Sequence, residues 1–223
     1  MRFFPLGESA LTIEFGNEIS LDLNFRAIAF ATHLNDHPFP GLVDAVPAYA
    51  SVTLFFDPRS VRHAFPDSET AFEAVSKFAK TAAESVTESN TGISRIVEIP
   101  ITISEETSPD LDTIAKYAGV ASEQVIDIFL SNTYRVYMLG FLPGFAYMGE
   151  VDDRIAAPRL STPRTRVPKG SVGIAGKQTG VYPLASPGGW NIIGRTDLNM
   201  FDPAAEPPCL LKPGDEVRFI RID

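Results

Sequence analysis

The sequence has little of what several protein classes require. It contains one cysteine, Cys209, among 223 residues, so no disulfide can form within the chain, and a reducing compartment is expected. No apolar run approaches the roughly 20 residues that a membrane-spanning helix needs. The N-terminal segment lacks the continuous apolar stretch of a signal peptide and reaches Glu8 early. We therefore expect a cytoplasmic protein.

Basic residues are also scarce, because the formal net charge is −9. This balance argues against nucleic acid as the main partner, since phosphate contacts require a basic face. The basic residues are unevenly placed, however. The segment 154–196, which we call the basic window, contains no Asp or Glu and seven basic residues: Arg154, Arg159, Arg164, Arg166, Lys169, Lys177 and Arg195.

The basic window has two interpretations. Arginine binds carboxylate or phosphate in a bidentate way, so the window is suited to an anionic ligand. Alternatively, it is a solvated surface stripe that faces acidic residues elsewhere, or a docking face for an acidic partner. Charge alone leaves both interpretations open.

Histidine is absent from the last two thirds of the chain, which excludes a Ser-His-Asp arrangement there. His33 and His37 lie four residues apart near a predicted helix end, where a histidine more often complements the helix dipole than binds a metal. We predict no metal site. Any catalysis in the C-terminal part must use Arg, Lys, Tyr, Ser, Gln or backbone groups.

The first 88 residues are predicted to form a small α+β domain. Residues 10–15 alternate in polarity as a strand does, and Ser20 is a plausible N-cap for a helix that places Leu21, Phe25 and Ile28 on one face. A second strand ends at Asp57-Pro58. A second helix has one apolar face, formed by Phe72, Val75, Ala79, Ala82 and Val86. Residues 87–92 are the predicted linker.

Residues 93–223 are predicted to be mainly β. A strand over 95–103 is followed by two short helices within 109–131, the first ending at Gly119 and the second beginning at Ser122. From Thr133 onward, short strand-like runs are separated by Gly and Pro. This pattern predicts a β-barrel or a sandwich.

Three glycine-rich segments stand out in this half: GFLPGF, GIAGKQTG and SPGGW. Glycines allow close approach of the backbone, and exposed N–H groups in such bends can bind an oxyanion, although ordinary turns use the same residues. Neither GIAGKQTG nor SPGGW matches a phosphate-binding loop or a dinucleotide fingerprint. Trp190 can stack on a planar ligand or belong to the core.

Longer motifs resemble a known family. The segments YRVYMLGFLPGFAYMG, APRLSTPRTRVPKGSVGIAGKQTGVYPLASPGGWNIIGRT, MFDP and LLKPGDEVRF are similar, in order, to those of the family that comprises the B-type subunit of 5-oxoprolinase, KipI and allophanate hydrolase subunit 1. The resemblance implies an N-terminal α+β domain and a cyclophilin-like β-barrel. It also implies ATP-dependent opening of 5-oxoproline to glutamate, together with a paired barrel subunit (C type) and a third subunit (A type).

The resemblance also implies site residues. Arg166 and Arg195 would bind the anion, Gly188 and Gly189 would offer N–H donors, and Tyr182 or Lys169 would move protons. By motif match, the catalytic set is Lys169, Tyr182 and Arg166, and the substrate-binding set is Arg164, Gln178, Ser186, Gly188, Gly189, Trp190 and Arg195.

The sequence departs from the family pattern in two places. Many members carry a histidine five residues before the tyrosine of the YRVY motif, where this chain has Phe129, and a Cys-Tyr-Gly-Gly-like segment, where it has residues 103–111. These departures keep two alternatives open. One is a KipI-like regulator that inhibits a sensor histidine kinase. The other is a carboxyltransferase or allophanate-hydrolase-type subunit acting on urea-related amides.

Overall fold

The computed structural model describes residues 1–85 and 94–222. The chain divides into two compact units, Met1–Ile93 and Ser94–Asp223. The predicted linker 87–92 and the predicted core residue Val86 lie outside the described residues. Within the described ranges, every helix is too short or too polar to cross a membrane.

The first unit contains a four-stranded antiparallel sheet and three helices. The strands are β1 (Arg2–Pro5), β2 (Ala10–Glu14), β3 (Leu42–Pro47) and β4 (Ser51–Phe56), in the order β1-β2-β4-β3. The helices are α1 (Leu21–Asp36), α2 (Pro58–Ala64) and α3 (Ala71–Ser85). The alternation in β2 and β4 buries Leu11, Ile13, Val52 and Leu54 in one core with α1 and α3. The two predicted strands are confirmed.

Helix α1 begins as predicted, with the Ser20 side chain accepting a hydrogen bond from the Leu23 N–H. The apolar stripe that the sequence pattern indicated does not form the buried face of the helix, because Leu21 and Phe25 are 49% and 42% exposed. A different stripe is buried instead, and it consists of Asn24, Ala27, Phe30, Ala31 and Leu34.

Polar anchors explain which face of α1 is buried. The Asn24 side chain donates to the Ala48 carbonyl oxygen at 3.2 Å. Asn35 exchanges two hydrogen bonds with the backbone of Ala45 in β3, at 3.0 and 3.1 Å. Both stripes of α1 contain apolar residues, so these side-chain bonds to the backbone of β3 and of the turn after it help to fix the rotation of the helix. The hydrophobic pattern alone does not contain that information.

The Asp57-Pro58 pair ends β4 and also begins α2, a helix that the sequence pattern did not predict. The Asp57 carboxylate accepts hydrogen bonds from the N–H groups of Arg59 and Ser60 at 3.3 and 3.1 Å, and Pro58 occupies the first helical turn. Proline is tolerated there because its missing N–H has no partner in the first turn of a helix. The pair is therefore a helix start as well as a strand end.

The second unit contains a closed barrel. Among residues 94–222, seven strands close in the order β10-β7-β6-β13-β5-β12-β9. This confirms the barrel alternative over the sandwich. These strands are β5 (Ile96–Thr102), β6 (Tyr134–Leu139), β7 (Ala146–Gly149), β9 (Ser171–Ala175), β10 (Gln178–Val181), β12 (Asn191–Arg195) and β13 (Glu216–Ile222). Strands β5 and β13 are parallel, and the other pairs are antiparallel.

Two further strands and two helices complete this unit. Strands β8 (Arg164–Val167) and β11 (Ser186–Gly188) pair as a separate two-stranded sheet. Helices α4 (Leu111–Ala118) and α5 (Ser122–Leu130) correspond to the two predicted helices, and Gly119 ends α4 in the left-handed conformation as predicted.

Phe129, where the family pattern has a histidine, lies in the hydrophobic core of the barrel unit. Its ring centroid is 5.0 Å from those of both Tyr134 and Phe219, and it is 1% exposed. The Tyr134 hydroxyl donates to the Phe129 carbonyl oxygen at 2.8 Å. This departure therefore concerns core packing rather than the lining of the cavity described below.

Candidate ligand site

A cavity of about 230 Å3 opens beside the sheet formed by β8 and β11. Its walls come from the loop between β6 and β7 with the start of β7, the segment before β8, the residue after β10, and β11 with the turn into β12. The lining residues are Phe141, Phe145, Tyr147, Arg159, Pro163, Tyr182, Pro187, Gly188, Gly189 and Trp190. The lining is thus mainly aromatic and contains one cation.

The aromatic rings meet edge to face around Phe145. Its ring centroid lies 4.9–5.5 Å from those of Phe141, Tyr147, Tyr182 and Trp190, with interplanar angles of 64–89°. Edge-to-face contacts are the arrangement that the ring quadrupoles favour. Phe145 is 1% exposed, whereas Phe141 is 59% exposed. Phe145 therefore forms the floor of the cavity and Phe141 stands at its mouth.

The loop between β6 and β7 holds these two rings in place. The Gly140 N–H donates to the Phe145 carbonyl oxygen at 3.1 Å, and the Phe145 N–H donates to that of Leu142 at 2.9 Å. Gly144 has φ +80°, and a β-carbon on it would lie 2.7 Å from the Met200 carbonyl oxygen. Phe141 has φ +69°, the only positive φ of a non-glycine residue within residues 1–85 and 94–222. Such a conformation is strained for a bulky residue.

Tyr182 places a hydroxyl group in the cavity. Its backbone is fixed by two hydrogen bonds, from the Tyr182 N–H to Ser171 at 2.9 Å and from the Gly170 N–H to Tyr182 at 2.7 Å. Burial raises the pKa of the Tyr182 phenol above its ordinary value, and a hydrogen bond with the backbone of Trp190 opposes this shift. The phenol therefore keeps its proton at neutral pH, and its O–H group can donate a hydrogen bond to a ligand.

Arg159 provides the cation of the lining. Its guanidinium carbon lies 5.8 Å from the centroid of the Trp190 ring. The residues before and after Arg159 are held by β12 and the turn that precedes it. The Asn191 side-chain amide donates to the Pro158 carbonyl oxygen at 2.8 Å. The Leu160 N–H donates to the Gly189 carbonyl oxygen at 2.8 Å. The sequence placed Arg159 in the basic window but gave no reason to choose it among seven basic residues.

Four of the ten predicted site residues line the cavity: Tyr182, Gly188, Gly189 and Trp190. Arg164 lies next to it, because its α-carbon pairs with that of Gly188 across the two-stranded sheet. The structure thus brings together the SPGGW segment, Tyr182 and the start of β8.

The other five predicted residues lie outside the lining, and their roles stay predictions. Lys169 donates to the Asn199 side chain at 2.9 Å, and the Ser186 hydroxyl donates to the Pro187 carbonyl oxygen at 3.2 Å. Arg166 is exposed on β8, and Arg195 is exposed at the end of β12. Gln178 begins β10, whereas Tyr182 follows the last residue of that strand.

Three residues of the basic window have acidic partners from outside it. Arg154 pairs with Asp152 at 2.8 Å, Lys177 with Asp153 at 2.8 Å, and Arg164 with Asp110 at 2.5 Å. For these residues the interpretation as a charge stripe that faces acidic residues is supported. Arg159, Arg166 and Arg195 form no ion pair within the described residues.

Asp110 belongs to the second departure from the family pattern, and it connects three elements. It precedes α4, and its buried carboxylate accepts hydrogen bonds from the Ile192 N–H at 2.6 Å and from Arg164 Nη2 at 2.5 Å. Its own N–H donates to the Ile192 carbonyl oxygen at 3.1 Å. Residues 103–111 therefore contribute an anchor for β8 and β12, the strands that flank the cavity wall.

Comparison with known sequences reveals relatives along nearly the whole chain. The family model of the carboxyltransferase domain, subdomains C and D, matches residues 1–211. The chain is 45% identical to the B-type subunit of 5-oxoprolinase from Bacillus subtilis (strain 168) over 218 residues, which cover 97% of this chain and 91% of the relative. It is 39% identical to the B-type subunit of 5-oxoprolinase from Escherichia coli O157:H7, over 98% of this chain and 95% of the relative.

A similar fold is found in a solved structure. The crystal structure of TTHA0988 matches with a TM-score of 0.82 and 38% identity over 96% of this chain. The match spans 40% of the TTHA0988 chain, so that protein contains more than this chain does. On these matches, the chain belongs to the family of the carboxyltransferase domain, subdomains C and D, together with the B-type subunits of 5-oxoprolinase.

Proposed function

We propose that this chain is a cytoplasmic subunit of an ATP-dependent 5-oxoprolinase and that its aromatic cavity binds 5-oxoproline. The observation that carries the proposal is the 45% identity to the B-type 5-oxoprolinase subunit of B. subtilis over 91% of that protein. The cavity supports it, because 5-oxoproline is a small cyclic amide with a planar amide group and one carboxylate. Aromatic walls and a few polar groups are typical of sites for such ligands.

The Tyr182 hydroxyl suits the amide end of this ligand. A buried phenol that retains its proton donates a hydrogen bond to the amide carbonyl oxygen. That bond strengthens as negative charge develops on the oxygen during opening of the ring. A tyrosine phenol is protonated at neutral pH, and burial raises the pKa of Tyr182 further, so we assign it the role of a donor rather than a base. In this proposal Tyr182 polarises the carbonyl group, and a base that removes protons must come from another group.

ATP is assigned to another part of the complex. The lining contains one arginine and mainly aromatic rings, and it does not fit a triphosphate, which needs several cations or a glycine-rich loop at a helix N-terminus. In our proposal the paired barrel subunit, of the C type, completes the site. A third subunit, of the A type, participates with ATP in the reaction.

The proposal is tested by reconstitution. The chain is co-expressed with its two companion subunits, and glutamate released from 5-oxoproline is measured with and without ATP. We expect release that requires ATP and all three subunits. Unchanged release when this chain is omitted would contradict the proposal, as would no release from a complete and folded complex.

The same preparation separates the two alternatives. Turnover of a urea-related amide that depends on biotin and bicarbonate would instead identify a carboxyltransferase subunit. Inhibition of a sensor histidine kinase by the chain, together with no 5-oxoprolinase activity in the complex, would identify a KipI-like regulator. Each alternative therefore has a positive result of its own.

A further inference from the structure

We infer that Arg159 determines the ligand specificity of the cavity, by binding the carboxylate of a ligand whose planar part lies against the aromatic rings. The inference rests on the proposed function for the identity of the ligand, 5-oxoproline. The class of ligand, a small ring that carries a carboxylate, follows from the lining itself.

The position of Arg159 is fixed by its neighbours. Hydrogen bonds at Pro158 and Leu160, each 2.8 Å long, tie the backbone on both sides of Arg159 to Asn191 and Gly189. Asn191 is itself buried, and its amide also donates to the Ile174 carbonyl oxygen in β9 at 3.2 Å. The arginine therefore projects from a short segment that β12 and the turn before it hold at two points. Such support reduces the entropy lost when a side chain binds a ligand.

The guanidinium of Arg159 is available to an anion. Its central carbon lies over the Trp190 ring, 5.8 Å from the centroid, and a cation–π contact of this kind does not consume the N–H donors of the guanidinium. Within the described residues no carboxylate pairs with it, whereas Arg154 and Arg164 pair with Asp152 and Asp110. Arg159 is the cation of the basic window that lines the cavity.

Two of the polar groups that line the cavity, those of Tyr182 and Arg159, match two groups on a single ligand; the Tyr147 hydroxyl also lies in the lining. Tyr182 provides a neutral donor and Arg159 a charged, forked donor, and the remaining surface is mainly aromatic. A ligand with a neutral carbonyl oxygen and a carboxylate on one small ring satisfies both donors. A neutral amide satisfies Tyr182 and leaves Arg159 without an anion. The cavity should therefore distinguish a cyclic amide with a carboxylate from the same ring without one.

The test compares matched ligands on the full chain, both alone and in complex with the paired barrel subunit, and binding in either preparation counts as binding to the chain. Dissociation constants are measured by calorimetry for 5-oxoproline and for 2-pyrrolidinone, the same ring without the carboxylate, and also for benzoate and benzamide. The variants are Arg159→Gln, which removes the charge and nearly preserves length, and Arg159→Lys, which keeps the charge and loses the fork. Arg154→Gln is the control, because it makes the same charge change five residues away on a side chain that pairs with Asp152.

We expect the wild-type chain and Arg154→Gln to bind each carboxylate at least about tenfold more tightly than its neutral partner, as hydrogen bonds to a charged group predict. Arg159→Gln should bring this ratio close to one while binding of the neutral ligands is unchanged, and Arg159→Lys should give an intermediate ratio. An undiminished ratio in Arg159→Gln, or no binding of either carboxylate to the wild-type chain, would overturn the inference.

These outcomes separate the inference from the proposed function. If benzoate binding depends on Arg159 but 5-oxoproline does not bind, the inference stands and the proposed ligand is wrong. If 5-oxoproline binds equally to the wild-type chain and to Arg159→Gln, the proposed ligand stands and the inference is wrong. If Arg159→Gln weakens binding of the neutral and charged ligands equally, Arg159 only supports Trp190, and the inference is again wrong.

Discussion

The phenol of Tyr182 lies directly against Gly188: a β-carbon added to Gly188 would overlap the Tyr182 hydroxyl oxygen and come within 2.9 Å of two carbons of its ring. Tyr182 is 2% exposed and packs edge to face on Phe145 and Trp190, so it has little room to move. The glycine of the SPGGW segment is therefore a packing requirement of the cavity.

Gly188→Ala should destabilise the protein by about 1–3 kcal/mol, the usual cost of overpacking a site that cannot rearrange. It should also reduce the affinity for the ligand, because the phenol is displaced. Chemical denaturation and calorimetry measure the two effects. Tyr182→Phe in the same chain should recover part of the lost stability, since it removes the hydroxyl oxygen that overlaps the new methyl group.

Gly189→Ala is the matched control for stability. A β-carbon there would meet its nearest neighbour, a carbon of Pro163, at 3.5 Å, which is an ordinary contact. Its cost in stability should be clearly smaller than that of Gly188→Ala. Equal costs for the two alanine variants would contradict the close approach of Gly188 to Tyr182.

Tyr182→Phe should lower the turnover of the reconstituted complex by about tenfold or more, because it removes the one neutral donor assigned to the amide carbonyl oxygen. The fold should be retained, since the ring and its aromatic contacts remain. Turnover and the near-ultraviolet circular dichroism spectrum are measured together. Wild-type turnover in Tyr182→Phe would contradict the assigned role.

Stability should fall as the pH rises above about 10, the ordinary pKa of tyrosine. Burial raises the pKa of Tyr134, Tyr137 and Tyr182 above that value. Above about pH 10 the unfolded chain loses these protons while the folded chain keeps them, so the unfolded state is favoured. The stabilisation is complete below pH 10 and is lost as the pH rises toward the folded pKa values. Urea denaturation from about pH 8 to about pH 11 measures the effect.

Tyr134→Phe isolates the contribution of one tyrosine to this loss of stability at alkaline pH. At neutral pH the variant should be less stable by about 1 kcal/mol, because the hydrogen bond to the Phe129 carbonyl oxygen is removed. Above pH 10 its stability should decline less steeply than that of the wild-type chain. Tyr117→Phe, which changes a tyrosine that is 56% exposed, should keep the wild-type slope. Identical slopes in all three proteins would contradict the assignment to Tyr134.

Much of the barrel unit could be predicted because its signals are local. The alternation in β5 and the helix ends at Gly119 and Ser122 depend on residues close together in sequence, and the structure contains them where they were predicted. The buried face of α1 depends instead on hydrogen bonds from Asn24 and Asn35 to distant backbone. No local pattern encodes those contacts.

In the candidate site, too, some residues could be predicted from the sequence, whereas others depend on contacts with distant segments. Motif similarity selected Tyr182 and the Gly188–Trp190 turn, which line the cavity. It did not select Arg159, whose position depends on Asn191 and Gly189 from a different segment. Phe141 was also not predicted as a lining residue, and no local pattern indicates its left-handed backbone, which is unusual for its residue type. Asp110 lies within residues 103–111, which depart from the family pattern, so motif similarity gave no role for it.

Asp110→Asn should destabilise the barrel unit by about 2–3 kcal/mol. The substitution removes the anion that pairs with Arg164 in a largely buried site, and breaking such pairs is costly, although the partly exposed Arg164 side chain lessens the cost. Thermal and chemical denaturation measure the effect. Asp152→Asn is the control, because it breaks the exposed pair with Arg154. A loss no larger than that of the control would contradict the role of Asp110 as an anchor.

Binding of 5-oxoproline in this cavity is tested with Trp190, the single tryptophan of the chain, which lines the cavity. Its fluorescence is recorded while 5-oxoproline is added to the full chain, alone and within the reconstituted complex. If the cavity is the 5-oxoproline site, the emission changes saturably, and Gly188→Ala weakens the apparent affinity. If the complex releases glutamate normally while the emission of Trp190 shows no saturable change in either preparation, the ligand binds elsewhere and the assignment of this cavity is wrong.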